Sequence, residues 1–134
     1  MVVPIKDRKY EVDFFDVNVM DATENGLKAV FDFAQSVDMS VDPAGTMREA
    51  LTMIKAHIDS IVGEGVTEEC FGDSMNWVEI MEAWLAIGRA YQESCAEMDK
   101  QVKAMLKEVP KASIVQAGAT PAIPQNVRKP VRVE

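Results

Sequence analysis

Few residues of this sequence could do chemistry, and they are scattered. The chain of 134 residues has one histidine, His57, and two cysteines, Cys70 and Cys95. A tetrahedral zinc site needs four ligands, and a nucleophilic cysteine needs a base beside it. These three residues cannot supply either set, and the cysteines do not form a C-x-x-C pair. We therefore expect no catalytic residue, no metal and no cofactor.

Two further patterns look like chemical motifs but have simpler explanations. Glu68 and Glu69 are adjacent acidic residues, yet nothing fixes a carboxylate separation of the kind that a glycosidase needs. Gly63-Glu64-Gly65 lacks the lysine and hydroxyl residue of a phosphate-binding loop. We interpret the protein as a non-enzyme that acts by binding, and an enzyme is the least favoured alternative.

The formal net charge of −8 is unevenly distributed along the chain. Residues 1–108 carry a net charge of −11, whereas residues 109–134 carry +3. An acidic body argues against direct nucleic-acid binding, because that affinity comes from Lys and Arg contacts to phosphates. The acidity either keeps the protein soluble or offers an acidic surface to a basic partner, as a DNA mimic does.

The N-terminus and the hydropathy pattern bear on location. The first ten residues include Pro4 and four charged residues, and they contain no apolar segment of signal-peptide length. No run approaches the roughly 18 apolar residues of a membrane-spanning helix. We expect no membrane association and a cytoplasmic protein with reduced thiols.

The first half of the chain predicts a strand followed by two helices. Residues 9–20 alternate polar with apolar or aromatic side chains, as strands do, and the phase changes at Phe14, as in a bulge, a bend or a short hairpin. Helices are predicted at about 22–37 and 43–62. The second helix follows a favourable Asp42-Pro43 start. The apolar positions with helical spacing are Leu27, Val30, Phe31, Ala34 and Val37 in the first helix, and Met47, Leu51, Ile54, Ile58 and Ile61 in the second.

A long third helix is predicted at about 76–107. Asn76 and Glu79 fit a capping box, and apolar residues then recur every three or four positions, as in a coiled coil. The second half of this stripe either packs in the core or is exposed to a partner, and its methionines suit a changing partner. The candidate partner-binding residues are Tyr91, Cys95, Met98, Val102 and Met105.

These elements predict a mainly α fold. It is a three-helix bundle with one long C-terminal helix and a short N-terminal β-strand or hairpin, in a single helical domain at residues 1–108. Residues 109–134 are rich in proline and small residues and have no helical period. We predict a flexible tail that is disordered alone and extended when bound to a partner.

The middle of the chain has an ordered series of motifs. Val62-Gly63-Glu64-Gly65 ends a helix, Cys70-Phe71-Gly72 follows, and Asn76 opens the helix that begins with Trp77. This series, with the preceding Tyr10–Phe14 strand, resembles an uncharacterised family of small phage and prophage proteins from Gram-positive bacteria, which have Phe where this chain has Val62. We expect structural roles for the motif residues, namely Gly63, Gly65, Phe71, Gly72, Asn76, Trp77 and Trp84. The two glycines at 63 and 65 are candidate helix stops, Phe71 a plug against the bundle and Asn76 an N-cap.

Proteins of that family are similar in size and position to tail assembly chaperones of long-tailed phages, which bind the tape-measure protein and recruit tail-tube subunits. The resemblance implies a non-catalytic tail-morphogenesis factor in the cytoplasm of a bacterial host. Its expected partners are a tape-measure or tail-tube protein, with self-association as a further candidate. Two alternatives stay open: a small acidic phage-encoded inhibitor or DNA mimic acting on a host protein, and a structural virion component that uses its C-terminal arm.

Overall fold

The computed structural model describes residues 1–108, and the predicted tail at 109–134 lies outside the described residues. The protein is mainly α-helical, as predicted. Its elements are β1 (Val2–Ile5), β2 (Arg8–Glu11), α1 (Val17–Ser36), α2 (Pro43–Val62), α3 (Val66–Phe71) and α4 (Trp77–Glu108). The chain divides into two compact units, Met1–Met98 and Asp99–Glu134. The second unit is described only for residues 99–108, which continue α4.

The two strands form an antiparallel hairpin, and it lies earlier in the chain than the predicted strand at 9–20. Val2 pairs with Glu11 and Ile5 with Arg8. The alternation beyond Glu11 is not a paired strand: Val12 is buried without belonging to one. The strand prediction was wrong there because alternation reports which side chains face the core, whereas a strand also needs a pairing partner. The partner here is β1, which the sequence pattern did not indicate.

The helix starts show how local capping sets the boundaries. α1 begins at Val17 and not near 22, because the Asp16 carboxylate accepts a hydrogen bond from the Asn18 backbone N–H at 2.8 Å. α2 has its predicted bounds, and Asp42 caps it by accepting from the Gly45 N–H at 3.1 Å. At α4, Asn76 accepts from the Glu79 N–H at 3.1 Å, as the capping box predicted.

A short fourth helix, α3, joins α2 to α4 and was not predicted as a helix. Gly63 ends α2 by donating its N–H to the Asp59 carbonyl at 3.1 Å. Gly65 then turns the chain in the left-handed region, at φ 85°. The Asp59 side chain holds the first turn of α3, accepting from the N–H and the hydroxyl of Thr67 at 2.9 Å each. With six residues, α3 is too short for its periodicity to be recognised.

One hydrophobic core holds the unit Met1–Met98. Phe71, the predicted plug, is 6% exposed within this core, and Trp84 is 5% exposed. Burying each large side chain contributes roughly 1.5–3 kcal/mol, so the core is the main source of stability. Its most deeply buried apolar side chains come from the hairpin region, α2 and α4: Val3, Ile5, Phe14, Leu51, Ile54, Ile58, Ile80 and Ile87.

α1 contributes little to that core. Only Thr23 and Gly26 are buried in this helix, and Phe31 is 60% exposed although its spacing predicted an inward position. Gly26 permits the close approach of α1: a Cβ there would lie 2.9 Å from Cη2 of Trp84 and 3.2 Å from Cβ of His57. The second half of α1 is therefore left with partly exposed apolar side chains.

This packing predicts opposite effects for the same substitution at two helical glycines. Gly26→Ala places a methyl group against the buried Trp84 ring, whereas a Cβ at Gly88 meets no atom within 4 Å. Alanine favours a helix over glycine by about 1 kcal/mol at either position. We expect Gly88→Ala to raise the free energy of unfolding by up to about 1 kcal/mol and Gly26→Ala to lower it by about 1–3 kcal/mol. Urea denaturation of both variants measures the difference, and equal effects would contradict the packing described.

Candidate protein-binding site

A groove between α1 and α2 is the most apolar cavity on the unit Met1–Met98. It encloses about 240 Å³. None of its lining residues is charged; they are Val30, Phe33, Ala34, Val37, Met39, Thr46, Met47, Ala50, Met53, Ile54 and Trp77. Small-molecule sites are usually larger, roughly 300–1,000 Å³, and contain convergent polar groups. The α1–α2 groove therefore suits a few apolar side chains of another protein better than a cofactor.

The composition of the α1–α2 groove is that of an adaptable protein-binding surface. Three methionines, Met39, Met47 and Met53, supply flexible thioether side chains that can repack against different partners. Trp77 stands at the start of α4 and is 43% exposed. Tryptophan is enriched among the residues that dominate binding energies. Met39 is 41% exposed and lies in the connection between α1 and α2.

The groove exists because three segments meet without filling the space between them. α1 is held close at Gly26, and its later turns present Val30, Phe33 and Val37 only partly buried. α2 supplies the opposite wall, and its predicted stripe is otherwise in the core. No single helical period marks this surface in the sequence. The available signal was the surplus of apolar residues on α1 together with Met39 and Val41 in the connection, and Val41 is 77% exposed.

The five predicted partner-binding residues do not form one exposed surface. In the unit Met1–Met98, Tyr91 is buried, whereas Cys95 and Met98 are partly buried. In the second unit, Val102 is 53% exposed and Met105 is 65% exposed. Leu106, which the sequence analysis did not single out, is 61% exposed. Val102, Met105 and Leu106 make an exposed apolar stripe, here called the α4-end stripe.

Tyr91 has a structural position in the core. Its ring meets Phe14 edge to face, with 5.7 Å between the ring centroids. Its hydroxyl donates a hydrogen bond to the Glu24 carboxylate at 2.5 Å, which links α4 to α1. Burial, followed by this hydrogen bond, raises the pKa of Tyr91 above its usual value. Tyr91 is therefore not available as a contact for a partner.

A second tyrosine connects the hairpin to α3. The Tyr10 hydroxyl lies 3.2 Å from Sγ of Cys70 and donates to the Glu69 carboxylate at 2.6 Å. These two hydrogen bonds, first that with Cys70 and then that with Glu69, raise the pKa of Tyr10. Arg8 adds an ion pair with Glu69 at 2.8 Å. Lys6 places its ammonium group 5.9 Å from the centroid of the Phe71 ring. The cluster fixes the hairpin and leaves no reactive thiolate to propose.

The other motif residues have structural positions. Gly63 ends α2, Gly65 turns the chain ahead of α3, and Asn76 caps α4. Gly72 follows α3 with φ 56° and donates its N–H to the Glu68 carbonyl at 2.9 Å. Trp77 is the exception, because it lines the α1–α2 groove.

Metal binding and membrane insertion find no support in residues 1–108. In that part of the chain, no group of three or more His, Cys, Asp or Glu side chains is arranged to hold a metal ion. No helix among the same residues combines the length and the apolarity that crossing a membrane requires.

The two tyrosines predict a measurable pH effect. Tyr10 and Tyr91 are the two tyrosines of the chain, and both have a pKa raised above the value of about 10 in an unfolded chain. Their hydrogen bonds therefore stabilise the fold fully below pH of about 10 and progressively less as pH rises above it. In an absorbance titration, we expect tyrosinate to form at higher pH in the folded protein than in urea. Superimposable titrations would contradict the two hydrogen-bonded sites, and Tyr91→Phe separates the two contributions.

Comparison with known proteins gives a family but no function. No curated protein and no solved structure matches the chain. Residues 6–115, which cover most of the sequence, match the Family of unknown function (DUF6673). The chain belongs to this family.

Proposed function

We propose that the protein is a non-catalytic phage tail-morphogenesis factor, a tail assembly chaperone that binds a tape-measure or tail-tube protein in the cytoplasm of the bacterial host. The observation that carries the proposal is the α1–α2 groove, an uncharged and partly exposed apolar cavity with Trp77 at its edge. The resemblance of the motifs around Gly63, Phe71 and Asn76 to small phage proteins supplies the biological setting.

The groove favours a helical segment as its ligand. A helix that lies in an apolar groove inserts side chains from one face, at spacings of three and four residues. A cavity of about 240 Å³ admits only a few such side chains, and its methionines adjust to their shapes. A client rich in amphipathic helices, such as a coiled-coil tape-measure protein, offers many segments of this kind.

The charge of the body supports the same role. Residues 1–98 contain nineteen Asp or Glu and seven Lys or Arg, a net charge of −12. A strongly charged surface keeps a protein and its bound partner in solution through repulsion between complexes. A chaperone would use the groove to cover apolar client surface and use its acidic exterior to prevent association of the complexes.

Two adjacent positions on α4 test the groove against the rest of the surface. Trp77 lines the groove, whereas Val78 is 61% exposed and does not line it. Trp77→Glu and Val78→Glu add the same charge to the same helical turn. On co-expression with a tape-measure or tail-tube protein, we expect Val78→Glu to retain the client. We expect Trp77→Glu to weaken binding by about 30-fold or more, because a tryptophan hot spot contributes about 2 kcal/mol or more.

The readouts are co-purification and the soluble fraction of the client, with circular dichroism to show that both variants fold. If the unsubstituted protein neither co-purifies with these clients nor changes their solubility, the chaperone role is wrong. If Trp77→Glu binds as well as Val78→Glu does, the client uses another surface.

A second candidate function, an acidic inhibitor or DNA mimic, rests on the net charge of −12 in residues 1–98. Such a protein would occupy the basic nucleic-acid site of a host protein. We expect it to compete with DNA for that site, with a strength that falls as salt concentration rises. Filter-binding competition at two salt concentrations measures this. Competition that is absent or independent of salt would argue against the mimic, whereas the chaperone role predicts none.

A further inference from the structure

The α4-end stripe has the geometry of a ligand for the α1–α2 groove. Val102, Met105 and Leu106 follow the spacing of zero, three and four positions with which a helix inserts side chains into a groove. Each is more than half exposed. The groove is lined by apolar side chains and has no charged residue in its wall. The protein thus carries both an unfilled apolar cavity and an apolar helical stripe.

The charges around these two surfaces are opposite in sign. Residues 99–108 contain Lys100, Lys103 and Lys107 against two acidic residues. With 100° of rotation per residue, these three lysines fall on one side of the helix, next to the stripe. The sequence around the groove is acidic: Asp38 stands between the lining residues Val37 and Met39, and Glu49 precedes Ala50. Both acidic residues are exposed. Such complementarity favours encounter and fixes orientation.

The stripe and the groove that it fits belong to different copies of the protein. Trp77, which lines the groove, and Val102, which begins the stripe, are separated by about seven turns of one helix, α4. Residues this far apart in a helix cannot occupy one site. We propose that the α4-end stripe of one copy docks in the α1–α2 groove of a second copy.

This arrangement is heterologous, because each copy contributes two different surfaces. Every bound copy still presents one unfilled groove or one unpaired stripe, so the contact generates open chains, or rings where the rotation closes. A helix of about three turns covers less than the roughly 800 Å² per partner of a stable complex. We therefore expect a weak, reversible association that depends on protein concentration in the micromolar range, about 1–100 μM.

The inference does not depend on the proposed client, but it has a consequence for it. A client helix and the α4 end of a neighbouring copy would compete for one groove. Self-association would keep the groove covered until a helix that binds more strongly displaces the neighbour.

Sedimentation velocity of the purified full-length chain, with no client present, tests the proposal over a range of concentrations. The unsubstituted chain is expected to sediment faster as its concentration rises. Trp77→Glu, which alters the groove, and Met105→Glu, which alters the stripe, are each expected to remain monomeric. The matched controls are Val78→Glu and Ala104→Glu, at exposed neighbouring positions outside both surfaces; both should associate like the unsubstituted chain.

A mixture of the Trp77→Glu and Met105→Glu variants is the decisive sample. The first retains an intact stripe and the second an intact groove, so one head-to-tail contact is possible and the mixture should form 1:1 dimers and nothing larger. Met39→Glu serves as a second groove variant if Trp77→Glu fails to fold. The proposal is overturned if the unsubstituted chain is monomeric throughout, or if the mixture forms no dimer while the unsubstituted chain associates. Neither result bears on client binding, which is measured separately by co-purification.

Discussion

The approach of α1 to Trp84 and His57 at Gly26 is the contact on which the rest of the described fold depends. It brings α1 against the core at a point where no side chain larger than hydrogen fits without displacement. Because only Thr23 and Gly26 are buried in this helix, the remaining apolar residues of α1 cannot all reach the core. They meet the first turns of α2 instead and leave a groove. The binding surface is thus a product of how one helix is anchored, and packing and function have the same origin.

The parts of the fold that local chemistry determines could be predicted from the sequence. Asp42 and Asn76 fix the starts of α2 and α4 by hydrogen bonds within three residues, so both boundaries were within one residue of the prediction. The hairpin could not be placed, because a strand is defined by its partner and the pairing of Val2–Ile5 had no comparable local signal. α1 began early for a related reason: Asp16 and Asp21 are both plausible caps, and tertiary packing decides between them.

The candidate site was harder to predict than the fold. Periodicity along α4 correctly indicates which side chains share a face, from Trp84 through Tyr91 to Met105. It does not indicate how deeply each is buried, and burial changes along this stripe from the core at Tyr91 to solvent at Met105. The α1–α2 groove has no periodic signature, because its walls come from three segments whose distances only the tertiary structure sets. Trp77 illustrates the difference, since the sequence identified it as a motif residue and the structure identifies what it lines.

The hairpin's attachment to α3 sets the order of events during synthesis. Tyr10 leaves the ribosome well before its partners Glu69 and Cys70, which follow it by 59 and 60 positions. An isolated two-stranded hairpin is at best marginally stable in water. At about 5–20 residues per second, Val3 and Ile5 therefore wait several seconds for the residues that bury them. Folding of this unit is a late event in translation, and its N-terminal apolar residues are the part of the nascent chain exposed the longest.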